Sequence, residues 1–311
     1  MAEKNLSDYT IGWIGAGRMG FPMAERLLKA GCDVTIYNRT KSKAEPLTKL
    51  GGKLADSPAD LADRDIVFTM VSGPADLLQV TTGENGVLSV SGTSPKMVVD
   101  CSSVSEEASA EVRAAAAKVG TAMLAAPVSG NAKVVKAGKL SIVASGPEDS
   151  FKIAEPYLNA MSVGVSYVGD GELARMVKIC HNVLLGVTIQ NLVEITILAE
   201  KGGVPRHAFL DFINKSVMGS MFTAYKTPAI VNLDYTPTFT PPLLHKDLEL
   251  GLAAAKELGV PMPLTSLTSQ IVQSAIGLGH VDTDFSILLD MEAKASGMEL
   301  KSENVDLDTG L

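Results

Sequence analysis

The sequence is short of cysteine, of basic charge and of long apolar runs, and each shortage excludes something. Its three cysteines, Cys32, Cys101 and Cys180, lie far apart, with no CxxC pair and no His/Cys cluster. A disulfide framework and a zinc site are therefore not expected, no metal is assigned, and a reducing, cytoplasmic location fits best. Lys and Arg number 27 against 35 Asp and Glu, a formal net charge of -8. That balance argues against a nucleic-acid partner, because neutralising a phosphate backbone needs a basic surface. It leaves room for a local basic pocket that takes an anionic small molecule. The opening stretch, MAEKNLSDYT, lacks the apolar core of a signal peptide. The most apolar stretch, Val183 to Leu198, is interrupted by Gln190, Asn191 and Glu194, so it reads as a core helix and no membrane partner is expected.

What is present is alternation. Short apolar runs at 10–15, 33–38, 65–71, 96–102, 122–128, 140–145 and 165–169 read as strands, separated by amphipathic or Ala-rich helical stretches. In SEEASAEVRAAAAKVG, Ser105 is the expected N-cap, with acidic residues in the first turn. Near-continuous apolar strands alternating with helices imply an α/β domain, doubly wound about a mostly parallel sheet. From Gly171 onward the strands stop. A helix over 171–201, apolar nearly all round, predicts a buried central helix, and Gly202, Gly203 and Pro205 end it. Further helices are predicted at 205–215, 219–232, 246–258, 263–279 and 283–296. The domains expected are thus 1–170, α/β, and 171–311, all-α, joined by the long helix. Residues 299–311 form a polar tail expected to fray.

The run IGWIGAGRMG places Gly15, Gly17 and Gly20 after the first strand and at the mouth of the first helix. In that context the three glycines serve a tight turn, close approach to a pyrophosphate, and close helix packing. The helix N-terminus then offers N–H groups to the anion. Ala16, Arg18 and Met19 belong to the same cradle, which is that of a Rossmann dinucleotide-binding domain. The second strand ends in Asn38, Arg39 and Thr40, with Lys43 nearby, where an NAD-selective site carries a carboxylate for the ribose 2′-OH. A guanidinium pairs with a 2′-phosphate and a hydroxyl donates to one, so NADP(H) is predicted over NAD(H). Val71 and Ser72, closing the third predicted strand, are placed on the same cofactor edge.

One residue pair asks for a reason. In ARMVKICHNVLLGV, Lys178 and Asn182 stand at i, i+4 and point the same way. A lone helical lysine ordinarily snorkels to the surface. This one has Ala174, Arg175, His181 and Asn182 at three and four positions, none acidic. Gly186, on the same face, is read as leaving room for a ligand.

The motifs IGWIGAGRMG, DCSSVS, APVSGNAKVVKAGKL, KICHN and HKDLELG, taken in order and at their spacing, resemble the β-hydroxyacid dehydrogenase family. That family includes 3-hydroxyisobutyrate dehydrogenase, tartronate semialdehyde reductase and the glyoxylate/succinic semialdehyde reductases, and the likeness runs over nearly the whole chain. The resemblance implies that Lys178 is the catalytic acid/base and Asn182 its partner. It implies that Ser103 lies near the nicotinamide, and that Ser129 and the loop through Gly130 and Asn131 hold the substrate carboxylate. It also implies that Lys246 contacts the cofactor and substrate region, supported by Asp247. The chemistry agrees: reducing a carbonyl needs a hydride on carbon and a proton on oxygen, and a lysine supplies the proton once its pKa is brought toward neutrality. Partial burial and the charges of Arg175, His181 and Lys246 are expected to push it down. His181 is read as structural, while His245, just before Lys246 at a helix start, is a weaker candidate for the cofactor.

The substrate loop departs from the family pattern Pro-Val-Ser-Gly-Gly-x-x-Gly-Ala-x-x-Gly-Thr-Leu. Asn131 replaces the second glycine, Val134 the third and Lys139 the threonine. Asparagine tolerates left-handed geometry, so the loop shape is expected to survive, with an added amide that can give or accept hydrogen bonds, and the substrate group bound there need not be a plain carboxylate. Lys133, Lys136 and Lys139 read as a solvated loop. The expected activity is interconversion of a small 3-hydroxy acid, or related hydroxy compound, and its semialdehyde or ketone. The substrate is a small anionic or polar carbonyl or hydroxy compound, expected between the sheet's C-terminal edge and the long helix, with Phe239 and Met221 as pocket walls. A homodimer or homotetramer is expected from the resemblance and the apolar helical domain. Two other readings share the layout. Imine reductases typically place an acid or tyrosine where Lys178 stands, and catalytically silent nucleotide-binding relatives usually lose the lysine and carry an extra module.

Overall fold

The structure, a computed structural model, describes residues 6–308. Residues 1–5 of the opening stretch and residues 309–311 of the expected polar tail lie outside the described residues. The chain packs as two compact units, Met1–Lys178 and Ile179–Leu311.

In the first unit six strands run parallel: β1 (Ile11–Ile14), β2 (Val34–Tyr37), β3 (Lys53–Leu54), β4 (Ile66–Thr69), β5 (Met97–Asp100) and β6 (Ala122–Ala125). Their order is β3-β2-β1-β4-β5-β6, the dinucleotide-binding arrangement in which strand order reverses beside β1. The helices are α1 (Gly20–Lys29), α2 (Pro74–Thr82), α3 (Glu106–Lys118), α4 (Ala132–Lys136) and α5 (Glu148–Met161). Every residue of β1, β4 and β5 is buried. Side chains alternate between two cores, as the period of a strand requires. Trp13, Phe68 and Val99 pack with Met23 and Leu27 of α1 and Phe151 of α5. Ile14, Val67 and Val98 pack with Leu77 of α2 and Val112 of α3. Ser105 caps α3 as expected, accepting from the Ala108 N–H.

The strands β7 (Val128–Ser129), β8 (Ser141–Ala144) and β9 (Gly164–Tyr167) form a separate sheet, with β7 antiparallel and β9 parallel to β8. The stretch 122–128, expected as one strand, is therefore two. Pro127, which has no N–H to give a ladder, separates them. The strand β3 lies outside the predicted set, because two residues carry no readable alternation.

The helix α6 (Leu173–Lys201) starts in the first unit and continues into the second, followed there by α7 (Arg206–Lys215), α8 (Met221–Asn232), α9 (Pro241–Leu258), α10 (Pro263–Gly277) and α11 (Leu288–Ala295). Helix α9 begins five residues before the predicted 246, so His245 and Lys246 stand inside it. Prolines at its first positions lack only N–H groups that would have had no helical partner. Helix α6 is not buried all round. Ile189, Val193 and Ile197 are in the core, while Leu184 and Leu198 are 66% and 73% exposed. Composition reports how apolar a helix is, and says nothing about how many of its faces are covered.

The tail also differs from its expected fraying. Glu303 accepts hydrogen bonds from the Arg206 and His207 N–H groups at 2.8 and 2.9 Å, and Asn232 pairs with Val305 in both directions. Leu300, Val305 and Leu307 pack on the core of the second unit. Three apolar anchors spaced among polar residues hold the segment down to residue 308. Deeper in the same unit, Lys226 and Asp284 form a buried ion pair at 2.6 Å. Burial pushes the Asp284 carboxyl up, but the Lys226 charge and its hydrogen bonds outweigh this and hold it below the ordinary range.

Candidate active site

The cradle is built by backbone packing. Gly15 turns at φ +103°, and a Cβ there would lie 2.2 Å from the Met70 carbonyl oxygen. A Cβ on Gly20 would lie 2.0 Å from the Gly15 carbonyl oxygen. No side chain fits at either position. At Gly17 a Cβ would meet nothing within 4 Å, so the turn is closed below and open above. An open middle glycine at the mouth of α1 fits the pyrophosphate of a nicotinamide dinucleotide. Asn38 braces the turn: its Oδ1 accepts from the Ala16 N–H at 2.7 Å and its Nδ2 donates to the Thr40 carbonyl at 2.7 Å. Trp13 adds a bond from Nε1 to the Gly15 carbonyl at 2.8 Å.

Above the turn lies a cavity of about 460 Å³. Of the residues predicted for the cofactor, Gly15, Gly17, Asn38, Arg39, Thr40, Lys43, Val71 and Ser72 line it. Ala16 and Gly20 are buried, and Arg18 is exposed on the turn. Ser103 is exposed and is not among the lining residues, whereas its neighbour Ser102 is buried.

Ser102 belongs to a polar network that the sequence did not reveal. Its hydroxyl accepts from the Val71 N–H at 2.9 Å, fixing the loop after β4. Asp100, at the end of β5 and 0% exposed, accepts from Thr69 Oγ1 at 2.6 Å and from the Ser102 N–H at 3.1 Å. Its other oxygen pairs with Arg175. Arg175, 2% exposed, also donates to the Ser102 carbonyl at 2.6 Å and to Ser109 Oγ at 3.3 Å. The expectation that Arg175 lends its charge to Lys178 is corrected here: Asp100 neutralises that charge inside the protein. The first turn of α6, one turn before Lys178, is thereby bound to the strand ends that carry the cofactor loops.

The loop expected to hold the substrate follows β7. Gly130 takes the positive φ, +137°, and a Cβ there would strike Val134 at 2.7 Å. Asn131 is extended at φ -113°, which corrects the expectation of left-handed geometry. Its Oδ1 accepts from the Lys133 and Val134 N–H groups at 3.0 and 3.1 Å, capping α4. Val134 is buried, and Lys133 and Lys136 are exposed. Ser129 pairs with Ser141 in the antiparallel ladder.

Lys178 is half-buried on α6, four residues before Asn182. In the second unit, Asn182 Nδ2 donates to Asp247 Oδ2 at 2.7 Å, and Asn182 Oδ1 lies 2.9 Å from His181 Nδ1. Lys246 Nζ is 3.3 Å from Asp247. The predicted residues Asn182, Lys246 and Asp247 are thus brought together, with His181 as an orienting neighbour. Glycines make this possible. A Cβ on Gly186 would lie 2.8 Å from Leu248, and one on Gly251 2.3 Å from Val183. Gly186 therefore lets α6 approach α9 and leaves no room for a ligand. His245 contacts Ser269 Oγ at 3.2 Å, tying α9 to α10. Phe239 lies edge-on to Phe285, with centroids 5.9 Å apart, and Met221 opens α8 half in solvent.

Residues 10–169 match the family described as the NAD binding domain of 6-phosphogluconate dehydrogenase. Residues 172–291 match that described as NAD-binding of NADP-dependent 3-hydroxyisobutyrate dehydrogenase. The chain is 31% identical over 300 residues to the chloroplastic glyoxylate/succinic semialdehyde reductase 2 of Arabidopsis thaliana, covering 96% of this chain and 83% of that one. It is 34% identical over 286 residues to 2-(hydroxymethyl)glutarate dehydrogenase of Eubacterium barkeri, covering 90% and 93%. The solved 3-hydroxyisobutyrate dehydrogenase of Mycobacterium tuberculosis, with L-serine, has a TM-score of 0.78 at 28% identity, over 91% of this chain and 98% of that one.

Proposed function

The chain belongs to the β-hydroxyacid dehydrogenase family, and from that premise we propose that it is an NADP(H)-dependent oxidoreductase interconverting a small 3-hydroxy acid, or related hydroxy compound, and its semialdehyde or ketone. The family is one of oxidoreductases that use a nicotinamide dinucleotide on small hydroxy acids. The observation that carries the finer reading is Asn182, clamped by Asp247 and His181 one helical turn from Lys178.

A nicotinamide dinucleotide held above the glycine turn would supply the hydride chemistry at the substrate carbon. The chain's own residues handle the proton. Lys178 donates it to the substrate oxygen in reduction and takes it back in oxidation. The Nδ2 of Asn182 carries a second hydrogen beyond the one given to Asp247, which suits a substrate oxygen. In the first unit, Ser129 and its loop are assigned to the polar end of the substrate. Gly15, Gly17, Arg39, Thr40 and Lys43 hold the dinucleotide, with Arg39 and Thr40 on the 2′-phosphate. The test is a screen with NADPH and NADP⁺ over small semialdehydes and hydroxy acids, with cyclic imines alongside. Turnover of imines without turnover of carbonyls would overturn the reading.

Arg39→Ala is expected to raise KM for NADPH about tenfold, the worth of a lost charge-assisted hydrogen bond, and KM for NADH less than about twofold. Equal efficiency of the native protein with both cofactors would refute the assignment of Arg39. Asn131→Gly should change substrate preference with little loss of stability, since glycine replaces a cap at a cost of only about a few tenths of a kcal/mol. It uncovers the Lys133 and Val134 N–H groups that Asn131 now occupies. The measurement is kcat/KM over a panel of carboxylates and uncharged carbonyl compounds, and an unaltered ranking would count against this role. The same reading includes a homodimer or homotetramer, supported by exposed Leu184, Leu198, Phe212, Leu264 and Leu267 in the second unit. Light scattering at micromolar concentration decides that point.

A further inference from the structure

We propose that Asp76 sets how strongly this protein prefers NADPH, by competing with the 2′-phosphate for Arg39. The inference rests on the reading of Arg39 given above and extends it. Arg39 Nη1 lies 3.1 Å from Asp76 Oδ1, and the two side chains are 78% and 31% exposed. Both line the cavity above the glycine turn, together with Thr40. Arg39 comes from the loop after β2 and Asp76 from the first turn of α2, 37 residues later. The pair therefore joins two separate elements that line the cavity.

Two cofactors would meet this pair differently. A 2′-hydroxyl is neutral and makes no demand on Arg39 that displaces the carboxylate. A 2′-phosphate carries nearly two negative charges and seeks the same guanidinium. To reach it, the phosphate takes the place of Asp76 and then stands beside an unpartnered like charge. Glu84 lines the same cavity and deepens that cost, whereas the Asp56 charge is offset by its ion pair with Lys41. The exposure of Arg39 keeps its bond to Asp76 weak, so the phosphate wins the contact, at reduced affinity. Asp76 thus lowers a preference that Arg39 creates, and leaves NADH binding nearly untouched.

Asp76→Asn removes the charge while keeping the shape and an acceptor oxygen for Arg39. Binding of NADPH and of NADH is measured by cofactor fluorescence with the native protein, D76N, R39A and the double variant, at low and at high salt. The expected result is NADPH affinity raised about threefold to tenfold in D76N at low salt, a smaller gain at high salt, and NADH affinity altered less than about twofold. The gain should shrink in the R39A background, where only the like-charge repulsion from Asp76 is left to relieve. A D76N protein indistinguishable from native, or one that binds both cofactors tighter by the same factor, overturns the role of Asp76. So does a gain that persists undiminished without Arg39. Should R39A itself leave the NADPH to NADH ratio unchanged, the reading of Arg39 fails first and takes this proposal with it.

Discussion

Lys178→Ala is expected to lower kcat for carbonyl reduction by about 10²- to 10⁴-fold, the range for loss of a positioned proton donor. NADPH affinity should stay within about twofold of native, because the cofactor cavity is lined by other residues. KM for the carbonyl substrate should move less than kcat, since the proton is most needed where negative charge develops on oxygen. Lys178→Arg separates charge from proton transfer. A guanidinium keeps the charge but does not release its proton in this pH range, so it should restore little. Added primary amines offer a second control: a small amine that recovers part of the lost rate, in proportion to its concentration, identifies the missing group as a proton donor. Turnover by Lys178→Ala at the native rate would remove the proposed mechanism.

Arg175→Ala carries the largest expected effect on stability. It strands Asp100, which is 0% exposed, and leaves the Ser102 carbonyl without that donor. Breaking a buried ion pair by removing one partner costs about 3–5 kcal/mol, because the remaining charge has no solvent to compensate it. Thermal denaturation should show a midpoint about 10 °C lower, a shift of the size such a loss implies for a domain of this length. Asp100→Asn should destabilise as well: an amide oxygen still accepts from Thr69 and the Ser102 N–H, but the buried Arg175 guanidinium keeps its charge and loses its carboxylate. Activity should fall in both, through the loop that Ser102 fixes at Val71. An Arg175→Ala protein melting at the native temperature would show that the buried pair contributes nothing net.

The α/β class and the glycine cradle are legible in the sequence because their rules are local. A buried parallel strand writes itself as an apolar run. The turn at Gly15 excludes a Cβ within a few residues of sequence. The basic end of β2 is legible for the same reason, since Arg39 and Thr40 follow the strand directly. Gly186 misleads, because a glycine on a helix face looks the same whether a ligand or Leu248 approaches it. Asn131 stands in the expected loop with a different backbone, since Gly130 beside it absorbs the positive φ and frees Asn131 to cap α4. The tail to residue 308 reads as frayed from its polarity, while Leu300, Val305 and Leu307 anchor it.

By itself the sequence determined the class of fold, the dinucleotide turn, and the lysine and asparagine sharing one face of α6, because each depends on residues within a few positions of one another. Only the tertiary structure decided that Arg175 is neutralised by Asp100, that Asp247 holds Asn182, and that Arg39 faces Asp76. Those partners are 75, 65 and 37 residues apart, and pairing over such distances is chosen by packing and shared burial, which no local pattern encodes.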